Sequence, residues 1–134
     1  MDANGLRALL VDTDREFASR MSERVQQVGG RPLEVEHCDR LAEALSRLPE
    51  APRIDAVLLD PHGEESAGWE ALVQLHQQFP ALPVIVLTAL ADASQASEAA
   101  RLGAQAYLLK SDCSPGPLAT LVEALVERFR AGEA

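Results

Sequence analysis

The sequence lacks the features of several protein classes. No apolar run approaches the roughly 20 residues of a membrane-spanning helix, and the N-terminus does not have the basic and apolar regions of a signal peptide. Positive charge is scarce, since 12 lysines and arginines stand against 21 aspartates and glutamates, a formal net charge of −9. Nucleic acids and anionic membranes both need a basic face, so we expect no direct binding to either. We therefore expect a cytoplasmic protein.

Cysteine is also scarce. The chain has 2 cysteines, Cys38 and Cys113, and their spacing matches no zinc or redox motif. We expect both to be reduced structural thiols. With 134 residues and 47% hydrophobic content, the chain is long enough for one globular domain with a sizeable core. We take residues 1–134 as a single domain with its core at about 6–130.

Strand-like and helix-like segments alternate five times along the chain with short connections. Continuous apolar runs predict central strands at 6–11, 54–59 and 84–88, and a half-apolar alternation at 33–38 predicts an edge strand. A fifth strand is predicted at 104–109. This order predicts an α/β protein: a five-stranded parallel sheet of flavodoxin-like order 2-1-3-4-5 with helices on both faces.

The helix signals specify particular caps and buried faces. Thr13 and Glu16 have the spacing of a capping box for the first helix, whose inward face holds Phe17, Met21, Val25 and Val28. Asp39 and Ser114 are the predicted N-caps of the second and fifth helices. Helical periodicity also predicts the inward faces of two later helices, which are Trp69, Leu72, Val73 and His76 in the third and Leu118, Leu121, Val122, Leu125, Val126 and Phe129 in the fifth.

Polar side chains end four of the predicted strands: Asp12, Asp60, Thr88 and Lys110. The strand order places these strands side by side, so the side chains converge on one edge of the sheet. Carboxylates held close together repel each other, and Mg²⁺ relieves the repulsion because it prefers oxygen ligands. A hydroxyl and an ammonium suit a phosphoryl group, and a carboxylate between them can become an aspartyl phosphate. The pattern predicts a phosphoryl-handling site.

At these residues the chain resembles the receiver domain of two-component response regulators, over residues 6 to 130. The resemblance rests on the acid at the end of the first strand and on the order and spacing of the later motifs, namely Leu58-Leu59-Asp60 with Gly68 eight residues on, Val86-Leu87-Thr88-Ala89, and Gly103-Ala104 followed by Tyr107-Leu108-Leu109-Lys110. It implies that Asp60 is the phospho-acceptor, and that Asp12 and the backbone carbonyl of His62 help to hold Mg²⁺.

The resemblance also implies how phosphate is recognised and passed on as a signal. Thr88 would bond a phosphoryl oxygen and Lys110 would pair with its charge. Tyr107 matches the aromatic switch that acts with Thr88 on a protein-interaction face. The implied partner is a histidine kinase or phosphotransfer protein, and the last two helices are a possible homodimer face. On this basis the chain is a phospho-acceptor signalling domain and not an enzyme.

Among the departures from the family pattern, those at Thr13 and Ser111 adjoin the predicted site residues. Thr13 stands where a second acid is usual, so either Asp14 reaches the metal from one position later or metal binding is weakened. Ser111 stands where proline usually follows the lysine, and we predict that the Lys110–Ser111 bond is cis nonetheless.

These departures leave two alternatives. The first is a pseudo-receiver, an interaction module that takes no phosphate because Thr13 replaces the acid. The second is a phosphatase of the haloacid dehalogenase type, in which Asp12 of the Asp12-Thr13-Asp14 segment is the nucleophile. The phosphatase reading leaves Asp60 unexplained.

Overall fold

A five-stranded parallel sheet, in the order β2-β1-β3-β4-β5, forms the centre of the molecule. The computed structural model describes residues 5–22, 30–61, 68–89 and 92–131. The strands are β1 (Leu6–Val11), β2 (Leu33–Cys38), β3 (Ala56–Leu59), β4 (Val84–Thr88) and β5 (Ala106–Leu109). The helices are α1 (Arg15–Met21), α2 (Leu41–Arg47), α3 (Trp69–Gln78), α4 (Ala93–Arg101) and α5 (Pro115–Arg130). The predicted fold class and strand order are confirmed.

Helices cover both faces of the sheet. Side chains alternate along each strand, so in β1 Ala8 and Leu10 pack with α1 and α5, while Leu9 and Val11 pack with α2, α3 and α4. The three central strands are buried on both faces, which explains why they read as continuous apolar runs. Truncating one of their leucines, such as the fully buried Leu58, would cost about 2–5 kcal/mol.

The first helix begins one residue later than the sequence predicts. Asp14, not Thr13, is the N-cap, and its Oδ1 accepts the amide of Phe17 at 3.0 Å. Asp14 can take this place because its own amide donates to Asp12 Oδ1 at 2.9 Å, which closes a tight turn before the helix. The predicted cap at Thr13 is therefore wrong. The predicted inward residues Val25 and Val28 lie outside the described residues.

The cap of the second helix also differs from the prediction. Arg40 is the N-cap of α2 and makes no side-chain cap hydrogen bond. Asp39 instead accepts a hydrogen bond from Arg15 at 2.9 Å, so its carboxylate is used between elements and not within one. Ser114 does occupy the N-cap position of α5 with Pro115 in the first turn, although its side chain makes no cap hydrogen bond.

The third helix is rotated relative to the predicted inward face. Ala71, Leu72 and Leu75 are buried, whereas His76 is exposed. The prediction missed Ala71 because a small side chain adds little to an apolar pattern, yet Ala71 is completely buried. The ring of His76 lies over Gly103, where an added Cβ would approach it within 2.7 Å. Gly103 also has φ +110°, so both geometry and space exclude a side chain there.

The connection after β5 corrects another prediction. The Lys110–Ser111 bond is trans, and among the described residues the cis bond is Ala51–Pro52. Lys110 enters a short 3₁₀ turn, Lys110–Asp112, closed by the Cys113 amide donating to the Lys110 carbonyl at 3.1 Å. This turn reverses the chain without a non-proline cis bond, which would cost about 2.5–4 kcal/mol. Within the part of the chain that the structure describes, no helix is long and apolar enough to cross a membrane.

Candidate functional site

Three charged side chains meet at the carboxyl edge of the sheet. The Lys110 ammonium lies 2.6 Å from Asp12 Oδ2 and 2.7 Å from Asp60 Oδ2. Their side chains are only 11%, 1% and 10% exposed, respectively. We call these three residues the pocket cluster. The strand ends predicted to converge therefore do so for this acid pair and its lysine.

The backbone of the sheet places the two carboxylates side by side. Hydrogen bonds of the sheet continue one residue past each strand, from the Asp12 amide to the Cys38 carbonyl and from the Asp60 amide to the Val11 carbonyl, both at 3.1 Å. Both acids follow Leu10 and Leu58 by two residues, and those leucines pack on the α1–α5 side. Alternation therefore directs both carboxylates to that side of the sheet.

Lys110 reaches the acids from the 3₁₀ turn that follows β5. Thr88 lies opposite Leu109 in the β4–β5 register, so Lys110 begins where the neighbouring strand ends. Its ammonium also lies 4.8 Å from the ring centroid of Phe17, a buried residue of α1. A cation over an aromatic face is attracted by the ring, so Phe17 and two carboxylates together surround the ammonium. The trans bond at Ser111 thus leaves Lys110 in the pocket.

The pocket cluster holds two acids for one cation, and this imbalance affects ionisation. Burial raises the pKa of Asp12 above its ordinary value, opposed by its bonds from Lys110 and the Asp14 amide, and Asp60 raises it further. Burial alone would lower the pKa of Lys110, but Asp12 and Asp60 outweigh that effect and raise it. The lysine is therefore held charged, and Asp12 carries an unfavourable buried charge.

Thr13 and Asp14, where the chain departs from the family pattern, lie beside the pocket cluster. Asp14 Oδ2 is 3.9 Å from the Lys110 ammonium, and the Asp14 side chain is 51% exposed. Its other oxygen caps α1. Asp14 is therefore near the pocket cluster but is engaged with the helix, while Thr13 is only partly buried.

Thr88 and Tyr107 lie on the two strands beyond Asp60. Thr88 is fully buried at the end of β4. Tyr107 is partly buried on β5 and lies opposite Val86 in the register, two residues before Thr88. Both Val86 and Tyr107 belong to the cluster on the α2–α3–α4 side, so Tyr107 lies on the sheet face that Thr88 shares by alternation.

The donors of the pocket fit a hard divalent cation in part. Asp12 and Asp60 supply anionic oxygens, the ligands that Mg²⁺ prefers, and the buried charge that raises the pKa of Asp12 is one that a cation would relieve. Among the described residues no three acidic, histidine or cysteine side chains are arranged to hold a metal. The carbonyl of His62 lies outside the described residues. The described donors thus amount to two carboxylates.

Two contacts of the site were not anticipated from the sequence. One is the ring of Phe17 beneath Lys110. The other is His37, whose Nε2 lies 2.7 Å from the Asp12 carbonyl oxygen. The sequence pattern placed Phe17 on an inward helix face and His37 in an edge strand, but it carried no signal that either residue would reach the pocket.

Comparisons with known proteins agree with this geometry. Residues 8–123 match the model of the response regulator receiver domain. The chain is 31% identical over 129 residues to the transcriptional regulatory protein GltR of Pseudomonas aeruginosa, covering 96% of this chain and 52% of GltR. The chain thus spans about half the length of that relative.

Solved structures show the same fold. The receiver domain of the Francisella response regulator 1452 superposes with a TM-score of 0.75 at 25% identity, covering 92% of this chain and 98% of that one. The beryllofluoride-activated DrrB receiver domain superposes with a TM-score of 0.74 at 26% identity, covering 92% and 99% of the two chains.

Proposed function

Because the chain belongs to the response regulator receiver domain family of two-component signalling, we propose that it accepts a phosphoryl group on Asp60. The observation that supports the proposal most directly is the Lys110 ammonium 2.7 Å from the Asp60 carboxylate, with both side chains largely buried. A preorganised cation at this place favours a phosphoryl group as it arrives, since its charge needs no rearrangement of water.

The transfer is a displacement at phosphorus. A carboxylate oxygen of Asp60 forms a bond to phosphorus while the bond to the donor nitrogen of a phosphohistidine breaks, and the electron pair leaves with the imidazole. Lys110 pairs with the phosphoryl charge, and the Thr88 hydroxyl donates to a phosphoryl oxygen. Asp12, Asp60 and the His62 carbonyl would hold Mg²⁺, with Asp14 as a further candidate. The metal supplies charge neutralisation at the phosphoryl oxygens.

The implied partner is a histidine kinase or phosphotransfer protein. A groove of about 980 Å³ opens beside the pocket between α1 and the connection into α5, with Asp14, Arg20, Lys110 and Ser114 among its lining residues. Lys110 lines this groove and contacts Asp60, which supports the approach of a phosphohistidine from the α1 side. The free thiols of Cys38 and Cys113 favour a reducing, cytoplasmic location. Nucleic-acid binding by another region of a longer protein is outside this proposal.

The output side of the proposal involves Thr88 and Tyr107. Phosphorylation adds about −1.5 to −2 charges at Asp60. Movement of Thr88 toward the phosphoryl group would free space on the face it shares with Tyr107, and inward rotation of the tyrosine would change the α4–β5–α5 surface. Homodimerisation through α4 and α5 stays a prediction.

A pseudo-receiver is the second candidate, and one observation favours it. Asp14 is the acid that could act in place of the one missing at Thr13, but one of its carboxylate oxygens caps α1. If the metal site is too weak for transfer, the module binds partners without phosphate.

One experiment separates the two functions. The protein is incubated with acetyl phosphate and Mg²⁺ and its intact mass is followed. We expect one phosphoryl group on the wild type and none on Asp60→Asn. The matched control is Asp55→Asn, because the Asp55 side chain is similarly buried, at 9% exposed, and is also paired with a basic side chain, that of Arg130. The proposal is contradicted if Asp60→Asn is labelled, or if neither the wild type nor any variant is labelled.

A further inference from the structure

The backbone of Asp12 is held on both sides by β2. Its amide donates to the Cys38 carbonyl at 3.1 Å, and its carbonyl faces His37 Nε2 at 2.7 Å. A carbonyl oxygen can only accept, so His37 Nε2 carries the proton and donates it. The peptide of a pocket acid is therefore fixed by a side chain that does not itself enter the pocket.

The side chain of Asp12 depends on the same turn. Asp12 Oδ1 accepts the amide of Asp14 at 2.9 Å and closes a turn. The Asp12 carbonyl that His37 contacts belongs to this same turn. If that carbonyl were released, the turn could rotate and the Asp12 carboxylate would lose its fixed direction toward Lys110.

A carboxylate also lies beside the same ring nitrogen. Asp39 Oδ1 lies 3.4 Å from His37 Nε2, and it is buried without a hydrogen-bond partner of normal geometry among the described residues. The other oxygen of Asp39 accepts from Arg15 at 2.9 Å. Arg15 immediately follows Asp14, so this ion pair links α1 to the β2–α2 connection beside the imidazole.

We propose that His37 is a positioning residue for Asp12, holding the Asp12–Asp14 turn in the form that directs the Asp12 carboxylate into the pocket. This inference deepens the proposed phosphoryl acceptance and rests on it where Mg²⁺ is concerned. Partners that orient a metal ligand from outside typically change metal affinity 10- to 100-fold.

The test uses two substitutions that differ in one property. His37→Phe keeps the bulk of the ring and removes the donor, whereas His37→Gln keeps an N–H near the position of Nε2. Ser19→Ala is the control, since Ser19 lines the same surface groove as His37 without contacting Asp12. The first readout is hydrogen exchange at the Asp14 amide in metal-free protein, because that amide reports whether Asp12 Oδ1 is in place.

We expect His37→Phe to speed exchange of the Asp14 amide roughly three- to tenfold, with His37→Gln and Ser19→Ala close to the wild type. In a Mg²⁺ titration followed by Trp69 fluorescence, we expect His37→Phe to raise the dissociation constant about tenfold. If His37→Phe lowers the melting temperature but leaves Asp14 exchange unchanged, His37 is merely structural and the inference is overturned. Failure of His37→Gln to restore slow exchange overturns it as well.

The two readouts also separate this inference from the proposed function. A wild type that takes up no phosphate contradicts the proposed function, yet the exchange comparison still decides the role of His37. A wild type that is phosphorylated while all variants exchange alike at Asp14 leaves the function intact and removes His37 from it.

Discussion

Two groups of paired charges in this molecule have the same chemistry and opposite energetics. The pocket cluster sets two acids against one lysine with side chains at most 11% exposed. The second group, which we call the β2 cluster, comprises Arg7, Glu34, Glu36 and Arg47, whose side chains are 20–45% exposed. The first is buried and short of one cation, and the second is half-solvated with two acids and two cations.

The ionisation of the acids reflects this difference. In the pocket cluster, burial raises the pKa of Asp12. In the β2 cluster, hydrogen bonds from Arg47 outweigh burial and lower the pKa of Glu36. Folding therefore disfavours the charged form of Asp12 and favours that of Glu36. The buried charge of Asp12 therefore opposes folding, whereas the charge of Glu36 stabilises the edge strand.

The largest effect on stability is expected when the cation of the pocket cluster is removed. Lys110→Met keeps the aliphatic stem and leaves Asp12 and Asp60 buried without their ammonium. We expect the free energy of unfolding to fall by about 3 kcal/mol, because removing one partner of a buried ion pair leaves the other charge buried and uncompensated. Urea unfolding at neutral pH measures it. A change below about 0.5 kcal/mol, the range of ordinary surface substitutions, would contradict the account.

The corresponding change in the β2 cluster should cost less. Arg47 donates to both oxygens of Glu36 and to the carbonyls of Glu50 and Pro52 at 2.8 and 2.7 Å. Because these groups are partly solvated, we expect Arg47→Met to lower the free energy of unfolding by about 1–2 kcal/mol. Labelling by acetyl phosphate should persist in Arg47→Met. Loss of labelling would show that the two clusters are not independent.

Neutralising an acid of the pocket cluster should stabilise the folded protein. Asp12→Asn removes a buried charge that folding disfavours, so we expect the protein to gain roughly 1 kcal/mol of stability while losing Mg²⁺ affinity. Chemical unfolding and a Trp69 titration measure the two effects. A destabilised Asp12→Asn protein would mean that the bond from Lys110 outweighs burial.

The smallest effect concerns the acid limb of stability. The folded pKa of Glu36 is lowered from 4.5, so its contribution is present above about pH 4.5 and is lost as pH falls through the folded value. The charged groups that lower it are Arg47 and Arg7. We expect Glu36→Gln to flatten the loss of stability as pH falls below about 4.5. An unchanged slope would assign that limb to other carboxylates.

The sequence was sufficient for those features that repeat along the chain or end a strand. The fully apolar β3 and β4 identified the centre of the sheet, and the polar residues after β1, β3 and β5 identified the pocket cluster. Parallel strands bring their carboxyl ends to one edge whatever their details, so Asp12, Asp60 and Lys110 could be expected to meet.

Features set by a single turn could not be read in this way. Thr13 and Asp14 are both good N-caps, and only the bond from the Asp14 amide to Asp12 decides between them. The trans bond at Ser111 depends on a 3₁₀ turn that has no sequence signal. His37 follows the ordinary alternation of a strand, which carries no sign of a special contact. Its bond to the Asp12 carbonyl depends on the register of β2 against β1.

Our proposal is that Asp60, and not Asp12, takes the phosphoryl group. Its most direct test is to label the protein with acetyl phosphate and Mg²⁺, reduce the acyl phosphate with borohydride, and map the modified residue by peptide mass spectrometry. We predict reduction at Asp60 alone. Reduction at Asp12, as expected for a phosphatase nucleophile, or at neither acid would contradict the account.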